Sequence, residues 1–246
     1  MPLIEFKNVS KAFGDNQVLV GMNLAIEQGE TITIIGGSGT GKSVTLKLLL
    51  GVIKPDEGNI LFKGQSVVEM EEEALIEMRS QIGMLFQGAA LFDSLTVEEN
   101  VAYPILEHHD YADEKVERIV GEKLSVVGLD ATQNMYPADL SGGMKKRVGL
   151  ARAIATDPEV ILYDEPTTGL DPANTNRIAE LILKLQEKLK VTSVVVTHDM
   201  TTAFKISNRL ALLHNKKIEF VGTVDEVKRS KNPVVQNFIE GEIGET

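Results

Sequence analysis

The chain has 246 residues, of which 43% are hydrophobic and 25% are charged. Its formal net charge is −11, which disfavours nucleic acid as a partner because phosphate backbones attract proteins of the opposite sign. It contains no cysteine, which excludes disulfides and thiolate chemistry. No run of about 18 apolar residues occurs, and the first ten residues do not resemble a signal peptide, so we expect no membrane-spanning segment of its own.

The first elements predict a strand, a glycine loop and a helix. Residues 3–13 alternate apolar and polar side chains, as in a half-buried strand, and Thr31–Gly36 is a nearly continuous β-branched run, as in a central buried strand. The helix that follows the loop is expected to end at Gly51. This order is the context that a P-loop requires.

The loop sequence GGSGTGKS matches the P-loop pattern completely. In such a loop, backbone N–H groups surround the β-phosphate, Lys42 reaches the β- and γ-oxygens, and the Ser43 hydroxyl ligates Mg²⁺. A chance glycine turn is the alternative, but the flanking strand and helix argue against it. We therefore expect ATP and Mg²⁺ as ligands, with ATP bound by Gly36, Gly37, Ser38, Gly39, Thr40, Gly41, Lys42 and Ser43.

Two residues at strand ends are further candidates. Phe13 lies between a strand and a turn, where its ring could stack on adenine, although ordinary core packing is the simpler interpretation of a single phenylalanine. Gln87 precedes a region of helices and loops, and its amide could contact Mg²⁺ or the attacking water. A surface glutamine is an equally good interpretation of Gln87 from the residues alone.

The region from about Gln87 to Pro158 changes to helices and loops, with the clearest helix in residues 111–129. Within it, DLSGGMKKRVGLARA places Ser-Gly-Gly at the start of a helix, before a cationic cluster. Because free N–H groups at a helix N-terminus bind anions, this is a second anion-site pattern. We interpret residues 88–158 as an inserted helical subdomain, and residues 1–87 with 159–246 as the nucleotide-binding core.

A second buried strand, EVILYDEP, ends in two acids. Asp164 suits the Mg²⁺ shell, and Glu165 can orient or deprotonate the attacking water, a role that contributes about 10²–10⁴-fold in rate. Asp171 is expected to cap an amphipathic helix that begins at Pro172. A third buried strand ends at His198. Strands that alternate with helices predict an α/β fold with a mainly parallel sheet, in which ligands bind at the carboxyl ends of strands.

These residues together resemble the nucleotide-binding subunit of ATP-binding-cassette (ABC) transporters, over essentially the whole chain and in the family's order. The resemblance implies a P-loop ABC ATPase fold with an N-terminal antiparallel β subdomain. It implies catalytic roles for Glu165, His198 and Gln87, and an Mg²⁺ shell of Ser43, Gln87 and Asp164. The matching features are Phe13, the P-loop, Gln87, LSGG at Leu140–Gly143, YDEP, the GLD loop ending at Asp171, and His198.

The resemblance also explains two anion sites in one chain. In ABC proteins the LSGG segment of one subunit covers the γ-phosphate that the P-loop of the other subunit holds. It therefore implies a homodimer in which Ser141, Gly142 and Gly143 contact the partner's ATP. Asp171 is expected in the loop between the subunits.

A finer resemblance points to the ATPases of Mla/MCE-type lipid transport systems. It rests on the segments around the P-loop, Gln87 and YDEP, on Met144 after LSGG, and on the tail NPVVQNFIEGE. It implies an ATPase at the cytoplasmic face of the inner membrane, with an integral-membrane permease and an MCE-domain lipid-binding subunit as partners. The expected docking surface is the loop and helical region after Gln87, where Leu91, Phe92, Leu95 and Val97 are apolar residues near turn signals. Packing in the core of the subdomain is the alternative, and we expect it for several of these residues.

Two alternatives stay open. An importer of amino acids or other polar solutes would share the mechanism and differ in its docking surface. A soluble ABC ATPase of translation or DNA repair belongs to another class, and the acidic charge, the single cassette and the lack of a long coiled-coil insertion disfavour it.

Overall fold

The computed structural model describes residues 1–241, so the end of the tail motif at Glu242 lies outside the described residues. The chain divides into two compact units. The terminal unit comprises residues 1–77 and the chain from Thr192, and the central unit comprises residues 78–191. Within residues 1–241, no helix combines the length and the apolar character needed to cross a bilayer.

The secondary structure alternates strands and helices through most of the chain. The strands are β1 (Ile4–Phe13), β2 (Asn16–Ile26), β3 (Thr31–Ile35), β4 (Glu57–Phe62), β5 (Gln65–Ser66), β6 (Ile82–Leu85), β7 (Val160–Asp164), β8 (Thr192–Thr197), β9 (Arg209–His214) and β10 (Lys217–Thr223). The helices are α1 (Lys42–Leu49), α2 (Glu72–Ser80), α3 (Val97–His108), α4 (Asp113–Val126), α5 (Gly142–Ala153), α6 (Pro172–Leu189), α7 (Met200–Ile206), α8 (Val224–Lys228) and α9 (Pro233–Ile239).

The terminal unit contains an antiparallel sheet and a group of parallel strands. The antiparallel sheet has the order β2-β1-β4-β5, which confirms the N-terminal β subdomain. In the second group, β3 lies between β8 and β9 and is parallel to both, and β10 pairs antiparallel with β9. All five residues of β3 are buried, as expected for a central parallel strand. Ile35 is opposite Thr197, so the chain leaves β3 and β8 at the same edge.

The central unit combines a parallel strand pair with helices. β6 is parallel to β7, with Leu85 opposite Tyr163, so Gln87, two residues after β6, and Asp164, the last residue of β7, lie at the same edge. The helices α3, α4 and α5 lie between these strands in the chain and pack against one another. The boundaries 88–158 for a helical subdomain stay a prediction.

Helix α6 begins as the sequence indicates. Asp171 accepts hydrogen bonds from the backbone N–H groups of Ala173 and Asn174, both at 3.0 Å, and Pro172 occupies the first helical position. The buried stripe of α6 includes Ile178 and ends before the last turn, because Leu189 is exposed.

Candidate functional site

The glycine loop is built by close packing at the end of β3. A Cβ atom at Gly36 would lie 2.5 Å from the carbonyl oxygen of Leu213, and one at Gly41 would lie 2.6 Å from a methyl group of Val18. Gly41 also has a φ of 103°, which disfavours any residue with a side chain. These two positions therefore require glycine, and the loop between them exposes Ser38 and Gly39.

Lys42 is the first residue of α1 and is only 6% exposed. Its ammonium group donates hydrogen bonds to the carbonyl oxygens of Gly36, at 2.9 Å, and Gly37, at 2.8 Å. The residue before α1 is Gly41, which has no side chain to cap the helix, and the first turn of α1 contains no acid. The positive end of the helix dipole and the Lys42 charge therefore act in the same loop, which is the arrangement that binds a phosphate.

His198 and Phe13 lie in the same unit as this loop. His198 is exposed and directly follows β8, whose last residue pairs with the last residue of β3. Phe13 ends β1 and is 49% exposed, with the Lys11 ammonium 5.5 Å from its ring centroid, so core packing does not account for Phe13. Its strand partner is Asn16, two residues before the Val18 side chain that packs at Gly41.

The acidic strand end in the central unit has a constrained geometry. Glu165 is 8% exposed and has a φ of 46°, which is rare for a residue with a side chain. Its carbonyl oxygen accepts hydrogen bonds from the Lys146 ammonium, at 3.0 Å, and from the backbone N–H of Thr168, at 3.3 Å. Its carboxylate accepts one from the Thr168 hydroxyl at 3.0 Å. Sequence reasoning missed the roles of both donors: Lys146 was included only in the cationic cluster after LSGG, and Thr168 lies between YDEP and the GLD loop.

Gln87 is exposed two residues after β6. The next two alanines, Ala89 and Ala90, have φ values of 61° and 47°, so the chain turns sharply there. Arg152 of α5 donates a hydrogen bond of 2.7 Å to the carbonyl of each alanine. Burial lowers the pKa of Arg152 from its ordinary value, and the guanidinium is the group that holds this turn against α5.

A buried asparagine organises the segment that follows. Asn100 in α3 is fully buried and its amide donates to the carbonyls of Phe92, Leu95 and Thr96 at 2.9–3.1 Å. Its amide oxygen accepts from the Phe92 N–H at 2.8 Å. Sequence reasoning missed this residue, although the T-x-x-E capping box at Thr96 is a visible signal for the start of α3.

An apolar groove of about 450 Å³ opens beside this segment, within the central unit. Phe92 and Tyr103 line it with their rings 4.8 Å apart, and both are partly exposed. Of the two interpretations of Val97, core packing is correct, because Val97 is fully buried as the first residue of α3. Other residues that line the groove include Phe86, Pro104 and Arg152.

The LSGG segment opens α5 as predicted. Ser141 is the N-cap and its hydroxyl accepts from the Met144 N–H at 3.3 Å. A Cβ atom at Gly143 would lie 2.5 Å from the amide oxygen of Asn174, whose amide nitrogen donates to Asp171 at 2.5 Å. The hydrogen bonds from Asn174 lower the pKa of the Asp171 carboxyl. The LSGG segment and the GLD loop therefore contact each other through Asn174.

Comparison with known proteins finds several relatives that are ATP-binding proteins of transport systems. Residues 19–168 match the sequence model of a family described as ABC transporter. The probable ribonucleotide transport ATP-binding protein mkl of Mycobacterium leprae is 39% identical, over 97% of this chain and 69% of that protein. The intermembrane phospholipid transport system ATP-binding protein MlaF of Haemophilus influenzae is 40% identical, over 98% and 91%. The methionine import ATP-binding protein MetN of Clostridium tetani is 40% identical, over 98% and 75%.

A solved structure shows the same fold. The ATP-binding cassette MJ0796, a dimer in a post-hydrolysis state with ADP and Pi, superimposes with a TM-score of 0.82 at 34% identity. The match covers 90% of this chain and 98% of that chain.

Proposed function

The chain belongs to the ABC transporter family and is an ATPase, and on that premise we propose that it powers phospholipid transport by a membrane permease. The main support for a nucleotide site is the glycine loop at the N-terminus of α1, in which Lys42 is buried. Its backbone donors bind the ATP phosphates, and Lys42 reaches the β- and γ-oxygens. Phe13 stacks on the adenine.

The remaining roles follow from the chemistry of each side chain. Glu165 orients or deprotonates the water that attacks the γ-phosphate, and His198 stabilises the charge that develops on that phosphate. Within residues 1–241, no three His, Asp or Glu side chains form a group that could hold a metal. We propose Ser43, Asp164 and Gln87 as the residues that would hold Mg²⁺, which would supply neutralisation of the phosphate charge of ATP.

We propose that two copies act as a dimer with two ATP molecules between them. Ser141, Gly142 and Gly143 of one copy contact the γ-phosphate bound by the other, which accounts for the exposure of Ser141 and Gly142. Asp171 and Asn174 place the GLD loop beside this segment, so the loop takes part in the same subunit contact.

The permease is proposed to dock in the groove beside Phe92 and Tyr103. The groove is mainly apolar, and the turn after Gln87 leads into it, so a short amphipathic helix of a membrane protein fits its chemistry. The chain then sits at the cytoplasmic face of the inner membrane. An MCE-domain subunit is the proposed lipid-binding component of the same transporter.

The substrate assignment rests on similarity to MlaF and on Met144 after the LSGG segment. The second candidate is an amino-acid importer, which similarity to MetN supports at the same 40% identity. The two candidates share the ATP chemistry described above. They differ in the molecule that the permease moves.

Reconstitution with the permease separates these candidates. The complex is placed in proteoliposomes with a fluorescent phospholipid, and the ATPase rate and ATP-dependent lipid transfer between vesicles are measured. We expect lipid transfer to require ATP and to cease when Glu165 is changed to Gln. ATP-driven uptake of methionine or another amino acid, with no ATP-dependent lipid transfer, would support the importer and overturn the lipid assignment.

A further inference from the structure

Lys146 of α5 is a buried cation with no role in the ATP chemistry described so far. Its side chain is 4% exposed, and its ammonium donates to the carbonyl oxygen of Glu165 at 3.0 Å. Burial lowers the pKa of Lys146 to about 8, opposed by the charges of Asp164 and Glu165. Removing an ammonium from water is costly, so an apolar residue of this length would serve the packing of α5 better.

The backbone of Glu165 needs external support. A left-handed conformation in a residue with a Cβ costs on the order of 1–3 kcal/mol and persists only where surrounding contacts enforce it. At Glu165 the enforcing contacts include the bonds from Lys146 and from the Thr168 N–H to the carbonyl oxygen. The carbonyl carbon is bonded to the same Cα atom as the side chain, and the ring of Pro166 fixes φ at the next position, so contacts that hold this carbonyl help to fix the backbone from which the carboxylate projects.

Lys146 also belongs to the helix that the LSGG segment begins. Lys146 lies five residues after the N-cap Ser141, which corresponds to about 7.5 Å along a helix. Most of α5 beyond its first turn is buried, so the helix moves as a rigid element. A shift of its N-terminus is therefore transmitted to the Glu165 carbonyl through one side chain.

We propose that Lys146 is a positioning residue that aims the Glu165 carboxylate and ties it to the helix carrying the LSGG segment. This inference rests on the proposed roles of Glu165 and of the LSGG segment. Contact of α5 with the ATP of the partner subunit then sets the geometry of the subunit's own Glu165. The two ATP sites of the dimer are thereby coupled inside each subunit.

The test compares Lys146→Met with Lys146→Gln in the full-length protein, measuring kcat, ATP affinity and thermal unfolding. Met keeps the length of the side chain and removes the donor, whereas Gln keeps a donor and removes the charge. We expect Lys146→Met to lower kcat about 10- to 100-fold, the effect of a small misplacement of a reacting group. ATP affinity and the unfolding temperature should stay at or above the wild-type values, and Gln should restore part of kcat.

Lys188→Met, on the exposed face of α6, is the matched control for loss of one positive charge. A second readout places Lys146→Met in the Glu165→Gln background, where it should lower the residual turnover no further because both changes act through one carboxylate. Wild-type kcat in Lys146→Met, or equal loss in the Met and Gln variants, would overturn the inference. Full activity in Glu165→Gln alone would instead overturn the role of Glu165.

Discussion

Lys42 shows how one buried charge defines the nucleotide site. Its ammonium is held by two loop carbonyls, at Gly36 and Gly37, and these bonds orient it in the loop at the start of α1. The carbonyls lie in the loop that is proposed to bind the phosphates, so the same geometry would present the ammonium to an anion. The site therefore depends on a single side chain as well as on backbone donors.

Changing Lys42 to Ala should weaken ATP binding by about 2–5 kcal/mol, because a buried phosphate then loses its charged partner. Isothermal titration with ATP measures the effect, with Lys47→Ala as the control because Lys47 is exposed on the same helix. ATP affinity unchanged by the Lys42 substitution would remove the P-loop assignment.

Asn100 organises the segment after Gln87 as Lys42 organises the glycine loop, through several hydrogen bonds from one buried side chain. Replacing Asn100 with Ala leaves the Phe92 N–H and the carbonyls of that turn without their amide partner and leaves a cavity at a fully buried site, so we expect a loss of about 3 kcal/mol of unfolding free energy. Urea denaturation measures it, and Asn134→Ala, at an exposed position, should change stability by less than about 0.5 kcal/mol. Equal stabilities for the two variants would contradict this account of the turn.

At the scale of elements, α5 links the catalytic features of the central unit. It begins at Ser141, contacts Glu165 through Lys146, and reaches the turn after Gln87 through Arg152. Its last residue also packs directly on β6, where a Cβ atom at Gly83 would lie 1.9 Å from the carbonyl oxygen of Ala153. The contact between α5 and β6 thus requires glycine at position 83.

Gly83→Ala should therefore destabilise the protein by about 1–3 kcal/mol or more, since the helix must move away from the strand. Gly121→Ala is the matched control, because Gly121 lies inside α4 with open space around it. There the substitution should raise the free energy of unfolding by about 0.5–1 kcal/mol, since alanine favours the helix over glycine. The unfolding temperature should fall for Gly83→Ala and rise for Gly121→Ala. A shift in the same direction would show that the close contact is not limiting.

The sequence predicted elements with a strong period or a motif, and it missed contacts made by single side chains. Strand β3, the start of α6 and the LSGG helix cap carry local signals in their own residues. The role of Lys146 depends on a residue 19 positions along the chain, and that of Asn100 depends on how the turn before α3 folds back on its amide, so no periodic pattern reveals them. The sequence left surface and core open for Val97, which is buried, because an apolar residue near a turn has the same pattern whether it faces the groove or the core.

At the scale of the whole molecule, the two anion sites are proposed to serve different nucleotides. The loop with Lys42 is proposed to bind the chain's own ATP, and the LSGG segment with Ser141 is proposed to complete the site of a second copy. Met144 offers no side-chain amide at the position after LSGG. Ser141 and the backbone N–H groups of α5 are still present as donors. The account therefore predicts that ATP drives two copies together and that hydrolysis separates them.

Changing Glu165 to Gln most directly tests the claim that ATP binding joins two copies and hydrolysis separates them. The amide keeps the shape of the side chain and removes the base. The measurement combines ATP turnover with molar mass by light scattering, with and without Mg²⁺-ATP. The account predicts a loss of turnover of about 10²-fold or more, together with an ATP-dependent dimer that retains two ATP molecules. Near-normal turnover by Glu165→Gln, or a monomer that binds ATP without associating, would contradict it.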